Sequence, residues 1–213
     1  MLFRSAASAN LGPGFDVLAL ALDLHLEATV SLKPGPLEVR YGGTLEQEGM
    51  HPEKDLMLRA LARSQGLEPQ ALAGLLVEAT SEIPLTRGLG SSAAALVAGT
   101  LLGNILGGSR LSIDAIFRMA WEMEGHRDSV AGALFGGLVF TAPGVDAPEL
   151  AHPLPLPLHP AWRFAVAYPA MEVPTLLARS VLPPSLPHET TPRPEAEPPD
   201  RKSTRLNSSH RIR

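Results

Sequence analysis

Pro84-Leu85-Thr86-Arg87-Gly88-Leu89-Gly90-Ser91-Ser92-Ala93-Ala94 runs from a glycine-serine loop straight into an apolar, alanine-rich segment. Upstream, Leu75-Leu76-Val77-Glu78-Ala79-Thr80 reads as a strand. Strand, glycine loop and helix start form an arrangement suited to a phosphate. Gly88 and Gly90 remove side chains where backbone N–H groups must approach an anion closely. Ser91 and Ser92 then open a helix whose first N–H groups lack intrahelical partners and whose dipole end is positive. A tight turn with Ser91 as a simple N-cap fits the same residues. The spacing matches neither Gly-x-x-x-x-Gly-Lys-Ser/Thr nor Gly-x-Gly-x-x-Gly, which excludes the ordinary P-loop and dinucleotide readings.

Two further constellations carry chemistry. Asn10-Leu11-Gly12-Pro13-Gly14-Phe15-Asp16 joins glycines and a proline to an Asn and an Asp. Asn offers an amide donor and a carbonyl acceptor, and Asp a carboxylate able to hold an ammonium or hydroxyl group. A β-turn whose side chains bond their own backbone fits as well. Glu122-Met123-Glu124-Gly125-His126-Arg127-Asp128-Ser129 stands at the end of a helix that starts near Ser112. Its acids and histidine suit a magnesium ion and a polar substrate, and a solvated helix end also accounts for them. On a helix, Glu122 and Glu124 lie about 200° apart and cannot both face one metal.

Taken in this order, the three resemble the homoserine kinases, a family of the GHMP kinase superfamily. Asn10 to Asp16 is similar to the family's N-terminal motif, Pro84 to Ala94 to its ATP-phosphate motif, and Glu124-Gly125-His126 with Asp128 to its substrate and metal motif. Thr175, four residues before Arg179, resembles its carboxylate-binding pair. The resemblance spans residues 2 to about 183. It implies an α+β fold, with an N-terminal domain holding a left-handed β-α-β unit at the ATP site and a ferredoxin-like C-terminal domain.

For the full-length parent the resemblance implies ATP-dependent phosphorylation of L-homoserine, with Mg²⁺, on the route to threonine. The implied binding stretch is Pro84, Leu85, Thr86, Arg87, Gly88, Leu89, Gly90, Ser91, Ser92, Ala93 and Ala94. Ser92 and Glu124 are the implied metal ligands. Asn10, Asp16, His126, Thr175 and Arg179 are the implied substrate residues. Two rivals remain: another GHMP kinase acting on mevalonate or a sugar, and an inactive ATP-binding fragment. The usual family reading is Glu-Gly-His-Pro-Asp-Asn, so Arg127 and Ser129 are departures, as is Gly132 in place of a common proline.

Composition agrees with an enzyme of this kind. The chain has 213 residues, 45% of them hydrophobic, and no cysteine, so neither disulfides nor thiolate metal sites exist. Met1-Leu2-Phe3-Arg4-Ser5 lacks the apolar region of a signal peptide. Glycines, Ser, Thr and Asn break the uncharged run from Gly88 to Ser109, which argues against a membrane span. These features lead us to expect a cytoplasmic protein without membrane partners; a homodimer is left open for the full-length parent.

Apolar residues at Leu18, Leu20, Leu22, Leu24, Leu26, Ala28, Val30 and Leu32 alternate with polar ones. That pattern predicts half-buried β structure in two strand segments. Leu37 to Tyr41, Leu138 to Thr141 and Trp162 to Tyr168 also read as strands. Helices are expected over Lys54 to Ser64, Ser92 to Leu106, and from near Ser112 to Glu124.

Fifteen of the 21 prolines lie at or beyond Pro143. Pro153, Pro155 and Pro157 form a stretch unable to continue a helix or a central strand. The expected division is therefore 1–143 for the ATP-binding domain, 144–183 for the beginning of an incomplete C-terminal domain, and 184–213 for a disordered or artefactual tail. Asp200 to His210 resembles the conceptual translation of a sequencing-library adapter. Setting aside residues 200–213, which carry five Lys/Arg and one Asp, leaves net −8 on residues 1–199 from the −4 of the whole. An acidic body has no electrostatic footprint for nucleic acid.

Overall fold

A computed structural model describes residues 2–46, 54–141, 152–168, 171 and 180. Its spine is β2 (Gly14–Leu32), which follows β1 (Leu2–Leu11) through a tight turn and pairs with it antiparallel. On the other edge of β2 lie β5 (Leu138–Phe140), against residues 18–20, and β4 (Leu75–Ser81), against residues 26–32. β3 (Glu38–Gly43) runs parallel to β4, and β6 (Leu154–Leu156) closes the far edge beside β5. The helices are α1 (Leu56–Ser64), α2 (Ser91–Leu106), α3 (Ile113–Glu124) and α4 (Arg127–Phe135). β3, α1 and β4 make a β-α-β unit, and the whole is α+β, as expected.

The run from Leu18 to Leu32 is one strand of 19 residues counted from Gly14, not two segments. Its ladder with β1 nevertheless shifts register twice, between Ala9 and Leu11 near the turn and at Ser5, which pairs with His25 while Ala6 pairs with Leu22, leaving Asp23 and Leu24 without a partner in β1. The bulge at Ser5/Ala6 bends the strand and changes which positions face the helices. Beyond it the even residues Leu26 and Ala28 are buried in one core cluster with α1 and α2; before it the odd residue Ala19 is buried with α3 and α4.

Helix α2 is buried nearly all round and forms the centre of both clusters. Its glycines allow α1 to lie almost against its backbone: a Cβ at Gly99 would stand 2.8 Å from the Met57 carbonyl carbon. α1 starts at Asp55, whose carboxylate accepts from Met57 N–H at 2.7 Å and Leu58 N–H at 3.1 Å, as an N-cap should. The Tyr41 hydroxyl donates to the same carboxylate. Burial, then this bond and this charge, push the Tyr41 phenol well above its ordinary value. Asp55→Ala should therefore cost about 2 kcal/mol or more, since it removes a cap and strands a half-buried hydroxyl. Tyr41→Phe keeps the cap and should cost about 1 kcal/mol. Urea melts of the two variants check the ordering.

Three elements differ from the sequence reading. α4 was not foreseen. Trp162 to Tyr168 is not a strand: the segment makes no ladder with the sheet and is exposed throughout. β6, with Pro155 at its centre, is a strand, but only at the edge, where proline is tolerated. Residues 143, 175 and 179, and the tail from 184 to 213, lie outside the described residues.

Candidate active site

The loop from Glu82 to Gly90 joins β4 to α2 and is pinned from beneath by Ala7 N–H donating to Leu89 O at 3.0 Å. Gly90 is the N-cap of α2 with φ 70°, a left-handed conformation, and no side chain caps the helix. A Cβ there would sit 3.1 Å from Ala7 O and 3.2 Å from Ala7 N, so glycine is required by both backbone angle and space. Ser91 is therefore the first helical residue and not the cap. The first turn of α2 offers its N–H groups to whatever lies before it.

The Ser92 hydroxyl donates to Glu124 Oε1 at 2.7 Å, across 32 residues of sequence. Glu124 is the last residue of α3, which Gly125 ends with φ 85°. Burial pushes the Glu124 carboxyl up, the Ser92 hydrogen bond and the His126 charge oppose that, and Asp128 adds to it. Glu122, two residues back, is exposed and paired with Arg63 at 2.6 Å. The geometry thus separates the two acids as their helical spacing demands.

After Gly125 the chain is extended at His126, the N-cap of α4, and Asp128 falls in that helix's first turn. Asp128 is 1% exposed. Its Oδ1 accepts from Ser129 N–H at 2.8 Å, while Oδ2 is enclosed without a hydrogen bond of normal geometry among the described residues. Burial pushes the Asp128 carboxyl up and the nearby Asp16 adds to this; Ser129 N–H, the His126 charge and Asn10 N–H pull the other way. This buried carboxyl is the residue the sequence reading left without a role of its own. Beside it, the Arg127 guanidinium lies 3.7 Å from the centre of the Trp121 ring, held by cation–π attraction.

Asn10 and Asp16 flank the β1–β2 turn. Asn10 Oδ1 accepts from Asp16 N–H at 2.9 Å, so half of the Asn10 amide is spent on its own backbone, as the β-turn reading required. Both residues have φ 58°, and Thr86 in the glycine loop has φ 54°. Three of the four described non-glycine residues with positive φ therefore belong to these two motifs. Strained backbone of this kind collects where side chains must be aimed. The interactions of Asp128 with Asp16, His126 and Asn10 N–H join the N-terminal turn to the α3–α4 junction. The Ser92–Glu124 bond joins that junction to the glycine loop. All three motifs thus meet at one place. Thr175 and Arg179 lie outside the described residues.

Two oxygens of hard character, an acid whose burial favours a compensating cation, and an uncapped helix start make a suitable seat for a metal-bound phosphate. Among the described residues no group of three or more His, Cys, Asp or Glu could hold a metal by itself. Any ion there would share its ligands with a bound anion. No described helix is long and apolar enough to cross a membrane.

Residues 54–137 match the model of the GHMP kinases N terminal domain. The chain is 47% identical to a homoserine kinase of Thermus thermophilus over 88% of its own length and 61% of the relative's. It is 41% identical to one of Clavibacter michiganensis over 86% of its length and 58% of that relative's. Among solved structures, a homoserine kinase from Listeria monocytogenes shares 32% identity at a TM-score of 0.62, covering 72% of this chain and 52% of that one. A Cytophaga hutchinsonii homoserine kinase superposes at a TM-score of 0.65 with 28% identity, covering 88% of this chain and 61% of that one. The chain thus spans about three fifths of the length of the first curated relatives it matches. From the matched domain, these identities and the shared architecture, residues 54–137 carry a GHMP kinases N-terminal domain, and the chain is similar to homoserine kinases over most of its own length.

Proposed function

We propose that this chain supplies the ATP-binding part of a cytoplasmic homoserine kinase, which moves the γ-phosphoryl group of ATP to the side-chain hydroxyl of L-homoserine. The observation that carries the reading is the 2.7 Å contact of Ser92 with Glu124 at the uncapped start of α2. Its support from similarity is the set of curated relatives of that name at 36–47% identity. In this reading the backbone N–H groups of Gly88 to Ser92 cradle the phosphates. Ser92 and Glu124 would hold Mg²⁺, which neutralises charge on the β- and γ-phosphates when bound. Asn10, Asp16 and His126 hold the amino and hydroxyl ends of the substrate, and Thr175 and Arg179 its carboxylate, for which a planar guanidinium is suited.

Phosphoryl transfer depends mainly on positioning and charge neutralisation. The substrate oxygen forms a bond to the γ-phosphorus as the bond to the ADP oxygen breaks, and the hydroxyl loses its proton. In this reading Asp128, whose burial raises its proton affinity, would accept that proton beside Asp16. Ser129 is shorter than the asparagine usual in the family, so a contact near the reacting hydroxyl is lost or bridged by water.

Because the chain spans only part of its relatives, the test separates binding from turnover. ATP binding is measured on the chain itself by calorimetry with and without Mg²⁺. Turnover is measured on a chimera that continues residue 183 with the remainder of the Thermus thermophilus relative. Phosphorylation of L-homoserine is expected, with mevalonate and galactose left untouched. Turnover of mevalonate in preference to homoserine would overturn the substrate. ATP binding by a folded chimera that phosphorylates none of them would leave an inactive nucleotide-binding fragment. In the chimera, Ser92→Ala and Glu124→Gln should each reduce Mg²⁺-dependent kcat/KM at least tenfold, roughly 1.4 kcal/mol. Unchanged kinetics in either clears that residue of its role.

A further inference from the structure

Gly125 and His126 alone join α3 to α4, and Glu124, His126 and Asp128 all stand on this short junction. The N-cap side chain, His126, makes no bond to the start of α4. Asp55 and Ser112 do cap α1 and α3 in that way. On the α3 side the helix closes through Gly125 N–H donating to Trp121 O at 2.8 Å.

One face of α3 grips α4 at both ends. Phe117 and Trp121, four residues apart, lie on the same side of α3. At the far end of α4 the Phe117 and Phe135 rings pack with centroids 5.8 Å apart, and Arg4 Nη1 donates to Leu134 O at 3.3 Å. At the near end the contact is of another kind. Arg127, the first residue of α4, lays its guanidinium on the Trp121 ring, with Nη1 shielded from solvent. The helix dipole favours acids in a first turn, so a cation here is held against it. A partly desolvated stack on indole, the strongest aromatic partner for a cation, offsets that cost.

We infer that Arg127 is a positioning residue: its stack on Trp121 stands in for a side-chain N-cap and fixes the start of α4 against α3. His126 and Asp128 are thereby held in register with Glu124. This role rests on the function proposed above. Trp121 serves both sides of the junction, its carbonyl taking Gly125 N–H and its ring taking Arg127. The ring is itself half-buried against the core of α2, α3 and α4, which makes it a firm platform. Loosening the stack leaves Glu124 in place, because Glu124 belongs to α3 and is bonded to Ser92. It frees the α4 side, with His126 and Asp128. The acceptor half of the site should suffer and the metal–nucleotide half should not.

Hydrogen exchange by mass spectrometry on this chain is the first test. In Arg127→Ala, amides Val130 to Gly132, whose helical bonds run back to the junction, should exchange about tenfold faster while α2 is unchanged. Arg127→Pro should restore the slow exchange. Proline suits the first helical position, and His126, at φ −126° and ψ 116°, already has the extended backbone that a following proline demands. Arg127→Lys keeps the cation without the planar fork and should restore part of it. Trp121→Leu should match Arg127→Ala, and should change little once residue 127 is proline.

Kinetics of the chimera, with whichever acceptor it phosphorylates, are the second test. Arg127→Ala should raise the acceptor KM about tenfold, leave the KM for ATP with Mg²⁺ within about twofold, and be rescued by Arg127→Pro. A loss that proline does not rescue would assign the guanidinium to a ligand and overturn the positioning role. Unchanged exchange in Arg127→Ala overturns it as well. Equal rises in both KM values, with a fall in Tm of several degrees, would reduce the stack to packing. A chimera without turnover counts against the kinase reading alone, since the exchange measurements decide the role of Arg127 without phosphotransfer.

Discussion

Asp128→Asn in the chimera is expected to lower kcat at least a hundredfold while the folded chain becomes more stable at neutral pH. The two effects have one cause. Asp128 is 1% exposed, its Oδ2 lacks a normal hydrogen bond, and burial with the neighbouring Asp16 holds its carboxyl above the ordinary range. For an acid whose proton affinity is higher folded than unfolded, the folded state binds more protons, so stability falls as pH rises from the unfolded value of 3.8 through the raised one. Glu124 is displaced in the same direction and adds to the slope. Above that window the ionised carboxylate is a standing cost, which an isosteric amide removes. A gain on the order of 1 kcal/mol, or about 2–4 °C in Tm, is the scale expected. The amide cannot take a proton from a hydroxyl, and general-base loss of this kind costs roughly 10²–10⁴ in rate. Thermal melts from pH 3 to 8 and steady-state kinetics check both halves. A variant less stable than its parent at pH 7, with the pH slope unchanged, would show the carboxylate to be a structural anchor.

The glycine loop was legible because its geometry is local. Strand, Gly88, Gly90 and the helix start are consecutive, and only the N-cap had to be moved from Ser91 to Gly90. The roughly 200° separation of Glu122 and Glu124 said only that one of the two could face a site; the family resemblance selected Glu124, and Arg63 holds Glu122 outside. α4 was not legible, because Val130-Ala131-Gly132-Ala133 carries no amphipathic stripe. Its small residues serve close approach, with a Cβ at Gly132 only 2.7 Å from that of Ala7. The isolation of Asp128 follows from that helix and was hidden with it. The alternation from Leu18 to Leu32 concealed a bulge, since the apolar residues stay on even positions across it while the ladder shifts. Trp162 to Tyr168 has a strand's pattern, but pairing needs a neighbour and the sequence pattern does not say where one is.

Gly99→Ala should cost more than 3 kcal/mol, a large share of the roughly 5–15 kcal/mol typical of a domain, and Gly99→Val should leave little folded protein. Two effects compete at this position. Alanine in a helix interior is favoured over glycine by about 1 kcal/mol. Against that, the added Cβ would overlap the Met57 carbonyl oxygen, stand 2.8 Å from its carbon and lie 3.0 Å from the Ala60 Cβ. The obstacle is backbone inside α1, held by that helix's own hydrogen bonds, so no side chain can swing aside. Relief requires α1 to move away from α2 as a body, opening the buried contact of Leu58 and Leu61 with the central core. Overpacking that side chains alone relieve costs about 1–3 kcal/mol, and a rigid neighbour puts this case above the range. A Cβ at Gly103, one turn on, would overlap the Ser64 hydroxyl and stand 2.5 Å from the Leu61 carbonyl oxygen, so Gly99→Ala and Gly103→Ala together should cost less than the sum of the two. Once α1 has moved for one, the other finds room. Urea denaturation of both singles and the double measures this, and a Gly99→Ala variant within 1 kcal/mol of the parent would mean the two helices are not held at this distance.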